Sequence, residues 1–330
     1  VAFGQLLGVL CPLALLLSAP FWGASQPYLL HVLVLSSILV IPAVGLNLML
    51  GYTGLVSLGH MGFAGIGAYT AAVLMVDAGV AFSAALLLGT LSAGLVGALV
   101  GLLLFRFRGH FFMIVTLALG LILHAVMNNW DDVTRGAAGF PGIPRPAPVQ
   151  MGDLHFSFGP LRNFYWVAIA GAIGVFIVQY LLVRSDFGRT LSAIRQDERL
   201  ARARGVNVLA YKTAVFAIGT AMAGFGGVLQ VSFLRVAAPS SFTMLESINT
   251  VLIVIVGGAG SLAGPALGAL LYVGLPEWLR MANEWRLVIF GSALVLITLY
   301  APRGLAGLLD ALWERFIKRR RASSTSQDKP

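Results

Sequence analysis

The chain has 330 residues, of which 58% are hydrophobic and 11% charged, with 39 glycines and a formal net charge of +9. Soluble domains carry about a quarter charged residues, so this composition excludes a soluble globular protein and places the chain in a membrane. The positive charge sits in short clusters between apolar runs, a placement that argues for membrane topology and against a nucleic-acid partner.

Apolar runs near 20 residues, the length that crosses roughly 30 Å of hydrocarbon, recur along the chain. They cover 3–22, 29–50, 60–77, 81–104, 110–128, 163–183, 211–235, 245–257, 262–279 and 286–302. The first lacks the positive n-region of a signal peptide and reads as a membrane helix interrupted near Pro12. Cys11, the single cysteine, lies within it and cannot form an internal disulfide. The run at 245–257 is short for a full span.

Of the 22 Lys and Arg, 16 fall in three clusters: Arg106 with Arg108, seven between Arg184 and Lys212, and seven between Arg303 and Lys329. Such clusters mark cytoplasmic segments, so an even number of spans must separate them. Ten spans satisfy that parity, with both termini cytoplasmic. The reading is an all-α polytopic membrane protein, one transmembrane domain over 1–330. It has an external loop at 129–162, a cytoplasmic loop at 184–210 and a basic tail at 303–330. The external loop contains "TRGAAGFPGIPRPAP", too rich in Gly and Pro for a regular helix. It is either a flexible connector or a docking or gating loop.

Small residues recur at spacing four in Ala85-Gly89-Ala93-Gly97-Gly101, in Gly219-Ala223-Gly227 and in Gly260-Gly264-Gly268. In lipid, helices associate through such close approach, so the ladders indicate a tight bundle rather than a site. Two stretches exceed what packing requires. "GLNLMLGYTGLVSLGHMGFAGIGAYT" brings Asn47, Gly51, Gly54, Ser57 and Gly59 into one break. "VGGAGSLAGPALGA" brings Gly257, Gly258, Gly260 and Ser261 into another. Broken helices are tolerated where they are buried in protein or line a wet cavity, and transporters use them to build substrate sites. These residues are therefore candidates for a substrate pathway, with tight loops as the alternative.

The segment 184–208, "RSDFGRTLSAIRQDERLARARGVNV", is a basic island. Asp186 suits a helix start, Gly205 a left-handed stop, and Arg202 and Arg204 the last turn. A helix near 189–204 is predicted, its apolar face beginning at Leu191 and Ile194. Such a helix lies on the anionic leaflet or docks into a groove of a partner. Asp197 and Glu198 weaken the first reading.

"FGRTLSAIRQDERLARARGVN" resembles the cytoplasmic coupling loop of branched-chain amino-acid ABC-importer permeases, in Gly188-Arg189, Ala193-Ile194-Arg195 and Gly205. "LGYTGLVSLGHMGFAGIGAYT", "TRGAAGFPGIPRP", "VGGAGSLAGPALGA" and the closing "APRGLAGLL" resemble the same family in the same order. One departure is visible: where a second Gly commonly follows Thr-Gly, this chain reads Thr134-Arg135-Gly136. The resemblance covers residues 40 to 310 and fits the permease type with the longer outside loop.

It implies one permease subunit of a bacterial inner-membrane importer. Its partners would be a homologous second permease, two cytoplasmic ATPase subunits, a periplasmic binding protein and the surrounding lipid. Gly188, Arg189, Ala193, Ile194, Arg195 and Gly205 would couple the bundle to an ATPase. The cargo implied is a branched-chain or other hydrophobic amino acid, with urea or short amides as the alternative.

The chain itself is expected to bind no cofactor. A P-loop needs Gly-Lys-Ser/Thr, and Lys212, Lys318 and Lys329 all lack a preceding Gly, so ATP would be used by the partner subunits. No metal motif and no catalytic set is predicted: Ser57 and His60 have no orienting acid near them in sequence. An ion-coupled secondary transporter would be expected to carry ionisable groups within its spans, whereas Asp77, Glu246, Glu277 and Glu284 fall near span ends.

Overall fold

The computed structural model describes residues 27–105, 110–146, 149–151, 154–156, 158–279, 285–301 and 303–311. The expected span at 3–22, with Cys11 and Pro12, lies outside the described residues. So do Arg106, Arg108, Glu284 and the tail beyond 311.

Every other apolar run forms a helix. They are α1 (Pro27–Thr53), α2 (His60–Val76), α3 (Phe82–Leu104), α4 (His110–Asn129) and α5 (Leu161–Arg184), followed by α6 (Asp186–Gln196) and α7 (Glu198–Ala203) in the basic island. The bundle continues with α8 (Val208–Leu234), α9 (Met244–Gly257), α10 (Gly264–Trp278) and α11 (Arg286–Tyr300). Helices α1, α3, α4, α5 and α8 are long and apolar enough to cross a membrane, whereas α2 and α9 are shorter. At 1.5 Å per residue the 14 residues of α9 reach about 21 Å, so α9 alone cannot span the bilayer.

Helices α1 and α8 form the buried centre of the bundle. Both are apolar on all sides, the pattern of a helix enclosed by others. Helix α3 shows how the ladders work. Its small face, Ala85, Gly89, Ala93, Gly97 and Gly101, is buried, while Leu87, Leu91, Leu95, Leu99 and Leu103 are exposed. A Cβ on Gly97 would overlap the Thr220 side chain of α8. The small residues therefore set the helix–helix distance, and the leucines form the outward, apolar face.

The chain has two ends. The basic end carries α6 and α7, the turn at 54–59, the turn at 258–263 and the start of a helix at 304–311. Lys212 there pairs with Glu198 at 2.6 Å, and Gly304 packs on the backbone of Gly258. The far end carries Asp77 and the loop after α4, joined by an Arg135–Asp77 ion pair at 2.7 Å. This grouping agrees with the sidedness expected from charge.

Among its described residues, the loop over 129–162 carries more regular structure than its composition predicts. It contains a helical turn at Asp131–Thr134 and a 3-10 turn at Gly136–Ala138. A strand, β1 (Phe140–Pro141), follows, then the hairpin β2 (Val149–Met151) with β3 (Leu154–Phe156). After α8, β4 (Val236–Ala237) pairs antiparallel with β1. Phe140 and Ile143 are wholly buried, and Phe140 packs edge-on to Tyr69. Burial of these two side chains fixes residues 134–143 on the bundle. Arg135 adopts the left-handed conformation, φ 58°, which glycine takes without steric cost. Its guanidinium offsets that strain by pairing with Asp77 and lying 4.3 Å over the Phe140 ring.

Candidate functional site

The single helix expected near 189–204 is two helices. Asp197 is extended (φ −153°, ψ 107°), and its side chain accepts from the N–H groups of Arg199 and Leu200. A short acidic side chain followed by Glu198 is a better helix start than a helix interior, so α6 ends and α7 begins there. Gly205 takes φ +83° as expected. It closes α7 with Gly205 N–H donating to the Arg202 carbonyl at 2.9 Å and Val206 N–H to the Ala201 carbonyl at 3.1 Å.

The two faces of α6 differ. Leu191 and Ile194 are buried toward the bundle, and Ile194 clusters with Ala201 and Val208. Gly188 packs against the carbonyls of Leu182 and Val183 at the corner with α5. Arg189 pairs with its neighbour Asp186 on the exposed side, and Ala193 is exposed. Leu200, 54% exposed on α7, adds apolar surface outside the bundle.

Arg195 points the other way. Its guanidinium donates to the Gly51 carbonyl at the end of α1. Gly51 lies directly against Gly260: a Cβ placed on it would sit 2.6 Å from the Gly260 Cα. Asn47, one turn earlier and wholly buried, holds the same turn with both ends of its amide. Gly260 N–H donates to Asn47 Oδ1 at 2.8 Å, and Asn47 Nδ2 donates to the Ser261 carbonyl at 2.8 Å. Ser261 Oγ donates to the Gly258 carbonyl and accepts from Gly264 N–H, both at 2.8 Å, which starts α10. Gly257 packs on Gly264 in the same turn. Asn47, Gly51, Gly257, Gly258, Gly260 and Ser261 are thus brought together, tied through Arg195 to the basic island.

Gly54, Ser57 and Gly59 follow a different course. Gly54 lies beside the Arg195 side chain, and the chain then turns back into the bundle rather than out of it. His60 Nε2 donates to the Pro42 carbonyl at 3.0 Å. Pro42 lies 11 residues before Thr53, so α2 begins about 16 Å back along α1. Its start is served by hydroxyls of other helices: Leu58 N–H donates to Thr116 Oγ1 at 3.2 Å and Met61 N–H to Ser247 Oγ at 3.0 Å. Gly59 packs against the backbone of Thr116 and Gly120. Ser57 is wholly buried, and neither Ser57 Oγ nor His60 Nδ1 meets a hydrogen-bond partner. A helix N-terminus with two unpartnered polar atoms therefore sits inside the bundle, where half-helix ends in transporters face anionic groups of their cargo.

Lys212, Glu198, Thr116 and Ser247 serve this region, and the sequence reading gave none of them a role in a site. Only Asp197 and Glu198 carried a readable local signal, as a cap and its first turn. No group of three His, Cys, Asp or Glu able to hold a metal occurs among the described residues.

The family model described as "Branched-chain amino acid transport system / permease component" matches residues 28–298. The chain belongs to the branched-chain amino-acid transport permease family. It is 34% identical over 292 residues to the high-affinity branched-chain amino acid transport system permease protein LivM of Escherichia coli K12, covering 82% of this chain and 68% of that one. A probable LivM of Methanocaldococcus jannaschii is 29% identical over 190 residues, covering 51% and 52% of the two chains. The ribose import permease RbsC of Escherichia coli K12 is 28% identical over 253 residues, 74% of each chain. The matched region contains both broken segments and the basic island, so the junction described above lies inside the family's common body. The chain is a membrane permease of this family.

Proposed function

We propose that this permease carries branched-chain amino acids inward across a bacterial inner membrane, by alternating access driven by ATPase subunits docked on the basic end. The contact from Arg195 to Gly51 carries this reading. It connects an exposed basic segment, suited to a partner groove, to the turn where α1 and the start of α10 meet. A shift of α6 on ATPase closure would reach that turn directly. A second permease of the same family would complete the path, and a binding protein would deliver cargo at the far end. The test is uptake by the complex reconstituted with its ATPases and binding protein. Leucine, isoleucine and valine are expected to be accumulated only with ATP. Uptake of urea or ribose instead, or leucine uptake driven by an ion gradient without ATP, would overturn the assignment.

The buried start of α2 is the proposed meeting point with the cargo carboxylate. Cysteine at Ser57, on a Cys11→Ser background, should be silent to a small water-soluble thiol reagent at rest. It should become reactive, by about tenfold or more, when ATP and loaded binding protein drive the cycle. Labelling that stays at the resting rate during active transport would return Ser57 to plain packing. Ser261, whose hydroxyl caps α10, is expected to label more slowly than Ser57 under the same drive.

The far-end loop is proposed to receive the binding protein. Phe140→Ser removes its buried anchor, a loss of about 3 kcal/mol or more for a large aromatic, and should free residues 134–143 from the bundle. Uptake stimulated by binding protein should fall several-fold while the subunits still co-purify. Unchanged stimulation would reduce the loop to a connector.

A further inference from the structure

By sequence Glu246 falls near a span end; in the structure that end lies inside the bundle. After α8 the chain pairs β4 with β1 at the far end and then re-enters along α2 through residues 239–242. Phe242 packs beside Gly65 and edge-on to Tyr69. Ser247 Oγ then accepts from the Met61 N–H at the buried start of α2. Helix α9 therefore begins beside that start and runs to the turn at the basic end. Glu246 lies 11 residues before Gly257, about 16 Å in from that turn and roughly half the hydrocarbon thickness. The other described carboxylates lie at the two ends or on the island.

A carboxylate at that depth is costly and faces the bundle interior or a wet path rather than lipid. Capping does not account for it. The Thr243 hydroxyl accepts from the Glu246 N–H at 3.4 Å, but the Glu246 carboxylate does not reach back to Thr243 as in a capping box. It turns forward, where Asn249 Nδ2 donates to Oε2 at a long 3.4 Å and Tyr272 of α10 is within electrostatic reach. No Lys, Arg or His pairs with it among the described residues. The start of α9 favours its ionised form. A part-buried negative charge thus stands in the middle of the bundle with no cation to answer it.

We infer that Glu246 receives the ammonium group of the cargo inside the membrane. The start of α2, one hydrogen bond away through Met61 and Ser247, has the opposite polarity and suits a carboxylate. Two helix beginnings that meet inside the bundle therefore offer a partner to each charge of a zwitterion. Urea, simple amides and sugars lack the positive charge that Glu246 would answer. The inference rests on the amino-acid cargo reading for the identity of the cation; the site itself is read from where Glu246 lies.

The experiment uses the complex reconstituted with its ATPases and binding protein. Glu246→Gln keeps an acceptor for Asn249 and removes the charge. Leucine uptake should fall about tenfold or more, Glu246→Asp should recover part of it, and the melting temperature should hold or rise, since a part-buried charge is gone. A second readout places Asn249→Cys as the single cysteine on Cys11→Ser. During ATP-driven cycling, a thiosulfonate reagent bearing an ammonium should outpace one bearing a sulfonate about tenfold, relative to their rates with free cysteine. Adding Glu246→Gln should erase that preference.

Uptake by Glu246→Gln within twofold of the parent, or no reagent preference, overturns the inference. So does ATP-driven leucine uptake that stops when the proton and sodium gradients are collapsed, because Glu246 would then be an ion relay. Should Glu246→Gln fail to assemble, the reagent preference with Glu246 intact decides alone. Leucine import indifferent to Glu246→Gln would sink this inference and leave the cargo assignment. Import of urea with the reagent preference intact would sink the cargo assignment and leave a cation-receiving site.

Discussion

Asn47→Leu is expected to abolish uptake and to lower the thermal stability of the purified complex. The substitution keeps the branched outline of the side chain, with somewhat bulkier ends, but removes both hydrogen bonds to the turn. Gly260 N–H and the Ser261 carbonyl are then left without the partner that holds them. Each such orphan costs about 1–3 kcal/mol, and more where no water reaches it. Asn47→Asp keeps an acceptor for Gly260 N–H and should retain more activity than Asn47→Leu. Gly51→Ala should fail for a separate reason. Its Cβ would meet the Gly260 Cα at 2.6 Å, and backbone cannot step aside as a flexible side chain does. Overpacking of this kind costs typically 1–3 kcal/mol. The measurement is uptake alongside the melting temperature of the complex. If Asn47→Leu transports within twofold of the parent and melts at the same temperature, the turn is not held by this clamp.

Ala193→Trp and Arg195→Glu are expected to fail differently, because the two residues face opposite ways. Ala193 is exposed on α6, on the face available to a partner. Tryptophan there should release the ATPase subunits, seen as loss of co-purification. Arg195 reaches back to the Gly51 carbonyl. Replacing it by glutamate removes that donor and adds a second carboxylate to the cavity that holds Glu198. ATPases should then stay bound while hydrolysis no longer drives uptake, with losses of tenfold or more for a part-buried hydrogen bond from a charged donor, worth about 1.5–3 kcal/mol. A segment lying on the leaflet gives another pattern. It would accept Ala193→Trp as an interfacial aromatic and lose only about 1 kcal/mol on Arg195→Glu. Retention of ATPase and full coupling in both variants would remove the basis for a coupling segment.

Several features were decided locally and were therefore readable. The length of apolar runs located the helices from α1 onward, because hydrocarbon thickness leaves no freedom in how many residues a span needs. The small ladder of α3 announced its packing face, since residues four apart share one side of a helix. Gly205 announced the end of α7, because few other residues take the conformation required there. Asp197 was readable too as a cap, and the expectation of one continuous helix missed it because the apolar face continues through Ala201 across the break.

Tertiary structure decided the junction. Asn47 and Gly260 are 213 residues apart, and Arg195 and Gly51 are 144 apart; no spacing rule reaches such pairs. The glycines of both breaks were visible as an excess, but an excess of Gly permits either a tight turn or a lined path. What settled their contacts is that the polar backbone of the 258–263 turn packs against α1, and Asn47, wholly buried, is the side chain at that level with both a donor and an acceptor. The return of the chain after Thr53 was likewise hidden. A turn leading out of the bundle and one leading back into it have the same composition, and only the hydroxyls of Thr116 and Ser247, on helices far along the chain, make the inward course affordable for the buried start of α2.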